Sequence, residues 1–160
     1  MPQAQHRQKR GRSKQDYCTP EGFLTATKGF LGIEDFDIDL AASDENAVTG
    51  LYYTKEDDSL TRPWKRGDGW NWLNPEFAYI RPWVERARQQ RDEERAQTCM
   101  LVPAGVGSNW FSEFAHQQAC VVFLNGRITF VGCPDPYPKD LMLLLYSPYQ
   151  QPGYEVWRWK

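Results

Sequence analysis

The chain has 160 residues, of which 41% are hydrophobic and 25% are charged, a composition typical of one soluble globular domain. No apolar run approaches the roughly 18 residues of a membrane-spanning helix and no signal peptide is visible, so we expect a cytoplasmic protein outside the membrane. The four cysteines form no C-x-x-C pair and only two histidines occur, which argues against a structural metal site.

The formal net charge of −2 is unevenly distributed along the chain. Residues 1–15 hold no acidic side chain and five basic ones, namely Arg7, Lys9, Arg10, Arg12 and Lys14. Subtracting those five from 19 basic residues leaves 14 against 21 acidic ones, so residues 16–160 carry about −7. A basic arm on an acidic body is typical of contact with a polyanion such as DNA, although a solvated terminus has the same composition. We therefore predict a flexible arm over residues 1–15 and one folded domain over residues 16–160.

The first predicted element is a helix that begins near residue 19. Thr19 suits the N-cap position, Pro20 the first helical position and Glu21 the first turn. Gly29 and Gly32 mark its end.

Residues 36–40 alternate between apolar and polar side chains, which predicts a strand. Ala41 and Ala42 follow, and such small side chains favour a tight turn at the carboxyl end of that strand. Asp39 lies inside this predicted strand, where a buried carboxylate is costly without a partner, so we expect it to meet a ligand. Residues 43–68 are predicted to be a loop with short helical turns.

Residues 70–73 form a second predicted strand, and Asn74-Pro75-Glu76-Phe77 closes it. An Asn oxygen and the backbone carbonyl of Pro75 are two acceptors, enough to hold both hydrogens of a primary amine. Phe77 can stack on the ring that carries the amine. Because ligands of α/β sheets bind beyond the carboxyl ends of strands, we expect the ends of both strands to lie side by side. An isolated Asn-Pro pair is also a common turn.

The remaining segments alternate between helix and strand. We predict helices over 80–95 and 110–117 and strands over 99–103, 120–124, 127–131 and 141–146. This order indicates an α/β fold with a mostly parallel sheet and helices on both faces, in which we expect the strand-rich part after residue 119 to end antiparallel. The Pro-rich stretch over residues 133–138 is predicted to be a loop and, with Arg127 and Lys139, is a candidate DNA contact.

Four segments together resemble a known family. Residues 74–77 are similar to the amino-methyltransferase motif Asp/Asn/Ser-Pro-Pro-Tyr/Phe, and residues 17–20 to the Thr-Pro element that precedes the cofactor site. Residues 36–46 resemble the Asp-bearing strand and turn that receive S-adenosylmethionine, and residues 57–64 the acidic element before the catalytic motif. In this order and with these short gaps, they resemble the phage-type, Dam-like DNA N6-adenine methyltransferases.

The resemblance implies a single Rossmann-like class I methyltransferase domain that binds S-adenosyl-L-methionine. It implies a site-specific, adenine-specific DNA methyltransferase, of the kind that protects phage DNA from restriction. Catalytic roles are implied for Asn74, Pro75, Glu76 and Phe77. Cofactor contacts are implied for Tyr17, Thr19, Pro20, Asp39, Ala41, Ala42, Asp57 and Asp58.

Two positions depart from the family pattern. Glu76 stands where the motif has its second proline, and its carboxylate would tune, redirect or damage activity. Ala41 and Ala42 replace a Gly-x-Gly turn, and their small side chains still permit close approach of a cofactor.

Three alternatives remain open at this point. N4-cytosine methylation uses the same amine chemistry, and a catalytically inactive DNA-binding protein could keep the same fold. A different nucleotide-binding α/β protein is a third, although the lack of a Gly-x-x-x-x-Gly-Lys-Ser/Thr loop argues against an NTPase.

Overall fold

The computed structural model describes residues 18–160. Its centre is a five-stranded sheet of order β1-β2-β4-β3-β5. The strands are β1 Trp70–Leu73, β2 Gln97–Pro103, β3 Cys120–Asn125, β4 Leu141–Tyr146 and β5 Gly153–Arg158. β1 pairs with β2 and β3 with β5 in parallel, while β4 lies antiparallel to both β2 and β3. The α/β class is confirmed, and the sheet is mixed because β4 enters between β2 and β3 in reverse.

A further extended segment, residues 37–42, lies beside β1. Leu40 donates its N–H to the carbonyl of Trp72 at 2.9 Å, and Trp72 donates to Ile38 at 2.9 Å. On its other side Tyr53 donates to the carbonyl of Asp39 at 2.9 Å. The predicted first strand is thus an extended segment whose ladder is limited to parallel bridges at Asp39. The expectation that its end lies beside the end of β1 is confirmed.

Among residues 18–160, three α-helices cover the sheet: α1 Glu21–Leu31, α2 Arg81–Glu94 and α3 Asn109–Phe114. Alternate residues of the strands point to opposite faces, as the pleat of a strand dictates. Met100 and Leu144 pack in the same buried cluster as Val84 of α2. Leu101 packs in a second cluster with Phe23 of α1. The predicted placement of helices on both faces therefore agrees with the two clusters.

The predicted cap of the first helix is wrong. Pro20, in extended conformation, occupies the N-cap position and makes no side-chain cap bond, so the helix begins at Glu21. The hydroxyl of Thr19 instead accepts a hydrogen bond from Asn74. Gly32 ends the helix with a φ of 70°, the left-handed conformation that glycine adopts without a Cβ penalty. The predicted helix over 80–95 is confirmed as α2, and the one over 110–117 is shorter, as α3.

The strand predicted over residues 127–131 is wrong. Its alternation arises because Ile128 and Phe130 are buried against the sheet, while Val131 makes a single antiparallel bridge to Cys18. β5 was not predicted, because most of its residues are exposed at the edge of the sheet.

The predicted loop over residues 43–68 is confirmed, with 3-10 turns at Lys55–Asp57 and Ser59–Thr61. Within residues 18–160, no helix combines the length and apolar character needed to cross a bilayer.

Candidate functional site

Asn74 lies at the carboxyl end of β1, and its side chain is hydrogen-bonded to a residue that is far away in the sequence. The residue is 4% exposed, and Pro75 after it is also buried. The Nδ2 of Asn74 donates to the hydroxyl of Thr19 at 3.1 Å, a contact between residues 55 positions apart. Two segments that the sequence assigned to different parts of a site therefore meet at one point.

Asp39 is 2% exposed and uses its carboxylate within the chain. Its Oδ1 accepts the backbone N–H of Ala41 at 3.2 Å, and its Oδ2 accepts that of Val48 at 3.1 Å. The partner expected from the sequence was a ligand, but these two N–H groups offset part of the cost of burying the carboxylate. Asp39 thereby fixes the turn that follows the extended segment.

Thr19, Asp39, Ala41 and Asn74 line one small pocket. Its remaining lining residues are Cys18, Asn46, Val48 and Trp72. The pocket is small, with a volume of about 10 Å³. We call it the Asn74 pocket.

A larger cleft of about 140 Å³ adjoins it across Ala41, which lines both. This Asp58 cleft is lined by Leu40, Ala41, Thr54, Lys55, Asp58, Ser59, Glu76 and Trp83. It brings together three predicted site residues, Ala41, Asp58 and Glu76. The glutamate that replaces the second proline of the motif therefore faces the same cleft as Asp58.

Asp57 and Asp58 have different environments. The Oδ2 of Asp57 accepts the backbone N–H of Thr54 at 2.8 Å and its hydroxyl at 3.1 Å. These two hydrogen bonds hold the pKa of Asp57 below its ordinary value. Asp58 has a φ of 54°, and its carbonyl accepts the N–H of Thr61 at 2.9 Å. Asp57 caps a turn, whereas Asp58 lines the cleft.

Phe77 lies against an aromatic pair from later in the chain. Its ring centroid is 5.5 Å from that of Tyr137 and 6.4 Å from that of Phe130, both edge-on. Tyr137 is anchored because its backbone N–H donates to the carbonyl of Ile128 at 2.8 Å. The Pro-rich loop over residues 133–138 is therefore packed against the motif at the end of β1.

The two predicted DNA-contacting residues of the domain border this loop. Arg127 donates from Nη1 to the carbonyl of Tyr137 at 3.3 Å and lies 3.7 Å from Asp140. Lys139 is exposed. The structure thus places Arg127, Lys139 and Phe77 around one loop.

Several other predicted residues have structural positions or lie elsewhere. The carbonyl of Pro20 accepts the N–H groups of Phe23 and Leu24 in the first turn of α1, at 3.1 and 3.2 Å. Ala42 is buried and donates its N–H to the carbonyl of Tyr53 at 2.9 Å. Tyr17 and the basic arm residues Arg7, Lys9, Arg10, Arg12 and Lys14 lie outside the described residues.

Five residues that line the Asp58 cleft were not among the predicted site residues: Leu40, Thr54, Lys55, Ser59 and Trp83. Trp83 lies within the predicted helix over residues 80–95, and its ring stacks on Trp64 with centroids 6.2 Å apart. Trp64 in turn donates its indole N–H to the carbonyl of Ser59 at 2.8 Å. The Thr54-to-Asp57 spacing of a capped turn was a signal in the sequence that could have located this wall of the cleft.

Comparison with known proteins gives concordant matches. The family model described as "DNA N-6-adenine-methyltransferase (Dam)" matches residues 7–155. A DNA N-6-adenine-methyltransferase of Escherichia phage T1 is 31% identical over 113 residues, which are 71% of this chain and 46% of that protein. One of Haemophilus phage HP1 (strain HP1c1) is 28% identical over 138 residues, 82% of this chain and 78% of that protein. The chain spans about half the length of the phage T1 relative.

Proposed function

The chain belongs to the DNA N-6-adenine-methyltransferase (Dam) family, and from this we propose that it methylates the N6 amine of adenine in DNA. S-adenosyl-L-methionine is the proposed methyl donor. The observation that carries the proposal is the convergence of Thr19, Asp39 and Asn74 on one pocket beside the Asp58 cleft. The two relatives, each named as a DNA N-6-adenine-methyltransferase, support adenine as the target.

The proposed fold is a single Rossmann-like class I methyltransferase domain over residues 16–160. Support comes from the parallel alignment of three neighbouring segments, residues 37–42, residues 51–53 and β1. Their carboxyl ends lie side by side, and open α/β sheets bind ligands beyond the carboxyl ends of their strands. The Asn74 pocket and the Asp58 cleft both lie there.

The residues of the Asp58 cleft suit the proposed cofactor. The carboxylate of Asp58 would accept a hydrogen bond from a ribose hydroxyl or from the adenine amine of the cofactor. Ala41 adds a single methyl group to the wall between the Asn74 pocket and the Asp58 cleft, so it leaves room for the cofactor to approach the backbone closely. When bound, S-adenosyl-L-methionine supplies an electrophilic methyl group at a positively charged sulfur.

The end of β1 would orient the target amine. The Oδ1 of Asn74 and the carbonyl of Pro75 accept the two hydrogens of N6, which directs the nitrogen lone pair towards the methyl group. Asn74 is 4% exposed, so these interactions act away from bulk water and stabilise the charge that develops on nitrogen. Phe77 would stack on the adenine once the base leaves the duplex.

Glu76 favours one alternative, a protein that keeps the fold and DNA binding without catalysis. Glu76 lines the Asp58 cleft, where its carboxylate would either stabilise positive charge during transfer or disturb a site built for proline. The variant Glu76→Pro distinguishes an electrostatic role of the carboxylate from a disturbing one. A lower transfer rate in the variant supports an electrostatic role, and activity that appears only in the variant establishes the inactive alternative.

DNA is the proposed macromolecular partner. We assign phosphate contacts to the basic arm over residues 1–15 and to Arg127 and Lys139, because a protein gains most of its sequence-independent DNA affinity from such charges. Since both relatives are phage proteins, the proposed setting is the cytoplasm of a bacterial host, with a role in protecting DNA from restriction.

The test is transfer of a labelled methyl group to unmethylated DNA, followed by mass spectrometry of the nucleosides. The proposal expects N6-methyladenine. N4-methylcytosine would replace adenine by cytosine as the target, and a well-folded protein that binds no S-adenosyl-L-methionine would contradict the proposal.

A further inference from the structure

We propose that Thr19 is a positioning residue for Asn74, whose side-chain amide it holds so that Oδ1 is presented to the target amine. The inference rests on the proposed methyl transfer. Its starting point is the hydrogen bond from the Nδ2 of Asn74 to the hydroxyl of Thr19, at 3.1 Å.

An asparagine amide has two chemically different ends. Only its oxygen can accept a hydrogen from a primary amine, whereas its nitrogen donates and would meet that amine donor to donor. The final torsion of an asparagine side chain is broad and roughly two-fold, so the covalent geometry alone does not select the correct end. Because the Nδ2 of Asn74 is directed at Thr19, Oδ1 lies on the opposite side of the amide.

Both partners of this contact are held by their backbones. The carbonyl of Cys18 accepts the N–H of Val131 at 2.9 Å, which ties the segment before α1 to the loop beyond β3. Pro20 follows Thr19 and Pro75 follows Asn74, and each proline fixes its own φ. The backbone is therefore constrained on both sides of the hydrogen bond that joins Thr19 to Asn74.

This role differs from a cofactor contact by Thr19, which the family resemblance implied. Thr19→Val keeps the shape of the side chain and removes its hydroxyl. If Thr19 positions Asn74, the transfer rate at saturating S-adenosyl-L-methionine falls by ~3- to 10-fold, the range of one neutral hydrogen bond, and cofactor Kd changes by less than about 2-fold. If Thr19 binds the cofactor instead, Kd rises and the saturated rate is retained.

A second readout follows the amide itself. The side-chain N–H signals of Asn74 are identified in a ¹⁵N correlation spectrum by their loss in Asn74→Asp. They are expected to shift in Thr19→Val and to return towards their original positions in Thr19→Ser, which restores a hydroxyl. The matched control is Thr25→Val, a change of the same kind at an exposed position of α1.

The experiment combines single-turnover transfer, cofactor calorimetry and this spectrum on the full chain. The expected result is a slower rate and shifted Asn74 signals in Thr19→Val, partial rescue in Thr19→Ser, and neither change in Thr25→Val. An unchanged rate with unmoved signals overturns the inference, as does a raised Kd with the saturated rate intact. If the wild type transfers no methyl group, the proposed function fails, and the spectrum still decides whether Thr19 holds Asn74.

Discussion

The buried carboxylate of Asp39 accepts the backbone N–H of Val48, nine residues further along the chain, at 3.1 Å. Together with the N–H of Ala41, this contact ties the turn after the extended segment to the wall of the Asn74 pocket. A residue that the family resemblance assigns to the cofactor is thus also part of the scaffold, and a variant will report both roles.

The substitution Asp39→Ala is expected to lower both the stability of the protein and its affinity for the cofactor. Removal of the carboxylate leaves two backbone donors without this acceptor, so the free energy of unfolding falls by roughly 1.5–3 kcal/mol. Affinity for S-adenosyl-L-methionine falls as well, by ~10-fold or more, because the turn that carries Ala41 loses its anchor. Denaturant unfolding and calorimetry measure the two effects. Asp68→Ala, at an exposed position, is the control and should leave both quantities nearly unchanged.

Asp37 and Gly69 give a prediction about the scaffold alone. Gly69 donates its N–H to the carboxylate of Asp37 at 2.9 Å, and a Cβ at this glycine would lie 2.8 Å from the Oδ1 of Asp37. Gly69→Ala should therefore lower the free energy of unfolding by ~1–3 kcal/mol, as overpacking does. Gly50→Ala is the matched control, because nothing lies within 4 Å of its Cβ. Equal stabilities for the two variants would show that Asp37 moves aside without cost.

Substitutions of the neighbouring residues Asp57 and Asp58 should have different effects on stability and on cofactor binding. Asp58→Asn is expected to weaken S-adenosyl-L-methionine binding by ~10-fold and to leave stability nearly intact. Asp57→Asn is expected to leave binding largely intact, because the Asp57 carboxylate caps the turn at Thr54. Calorimetry on both variants decides, and a stronger binding defect in Asp57→Asn would reverse the assignment.

Asp57 should also make the stability of the protein depend on pH. The hydrogen bonds from Thr54 hold its pKa in the folded state below the ordinary value of 3.8. A lowered pKa contributes stability that is present above the ordinary value and is lost as the pH falls through the folded one. The wild type should therefore lose more stability than Asp57→Asn between about pH 5 and pH 2, measured by denaturant unfolding. Parallel curves for the two proteins would contradict this.

The sequence predicted best those elements whose pattern has a single cause. Leu141–Tyr146 is a continuous apolar run because β4 is buried on both faces between two other strands, and its bounds agree with the prediction. Trp70–Leu73 is likewise buried at all four positions. The alternation at residues 127–131 misled because burial of Ile128 and Phe130 in a loop produces the same pattern as a strand. β5 escaped because Val156 is 70% exposed and charged residues interrupt the apolar signal.

Contacts between residues far apart in the sequence are the part of the site that could not be predicted. The motif over residues 74–77 was visible locally, and its position at the end of β1 is confirmed. The hydrogen bond of Asn74 to Thr19 was not predictable, because Thr19 has the local signature of a helix cap and its partner lies 55 residues away. The division between Asp57 and Asp58 could have been predicted in part, because the Thr54-to-Asp57 spacing is that of a capped turn and assigns Asp57 to the cap.

Deletion of residues 1–15 tests the proposed DNA contact of the basic arm. If its five basic side chains engage phosphates, affinity should fall similarly for all DNA sequences. The slope of log affinity against log salt concentration should shrink by up to ~4–5 units, as fewer counterions are released. Fluorescence anisotropy over a salt series measures the slope. An unchanged slope would identify the arm as a solvated segment without a role in binding.

The most direct test of the account is the transfer rate of Asn74→Ala beside that of the wild type. Both proteins are given methyl-labelled S-adenosyl-L-methionine and unmethylated DNA, with Asn125→Ala, an exposed asparagine, as the control. Because Asn74 is proposed to position the amine and not the cofactor, its variant should bind the cofactor nearly as tightly and transfer the methyl group ~100-fold more slowly or worse. Equal rates of N6-methyladenine formation by Asn74→Ala and the wild type would contradict the assignment of catalysis to the end of β1.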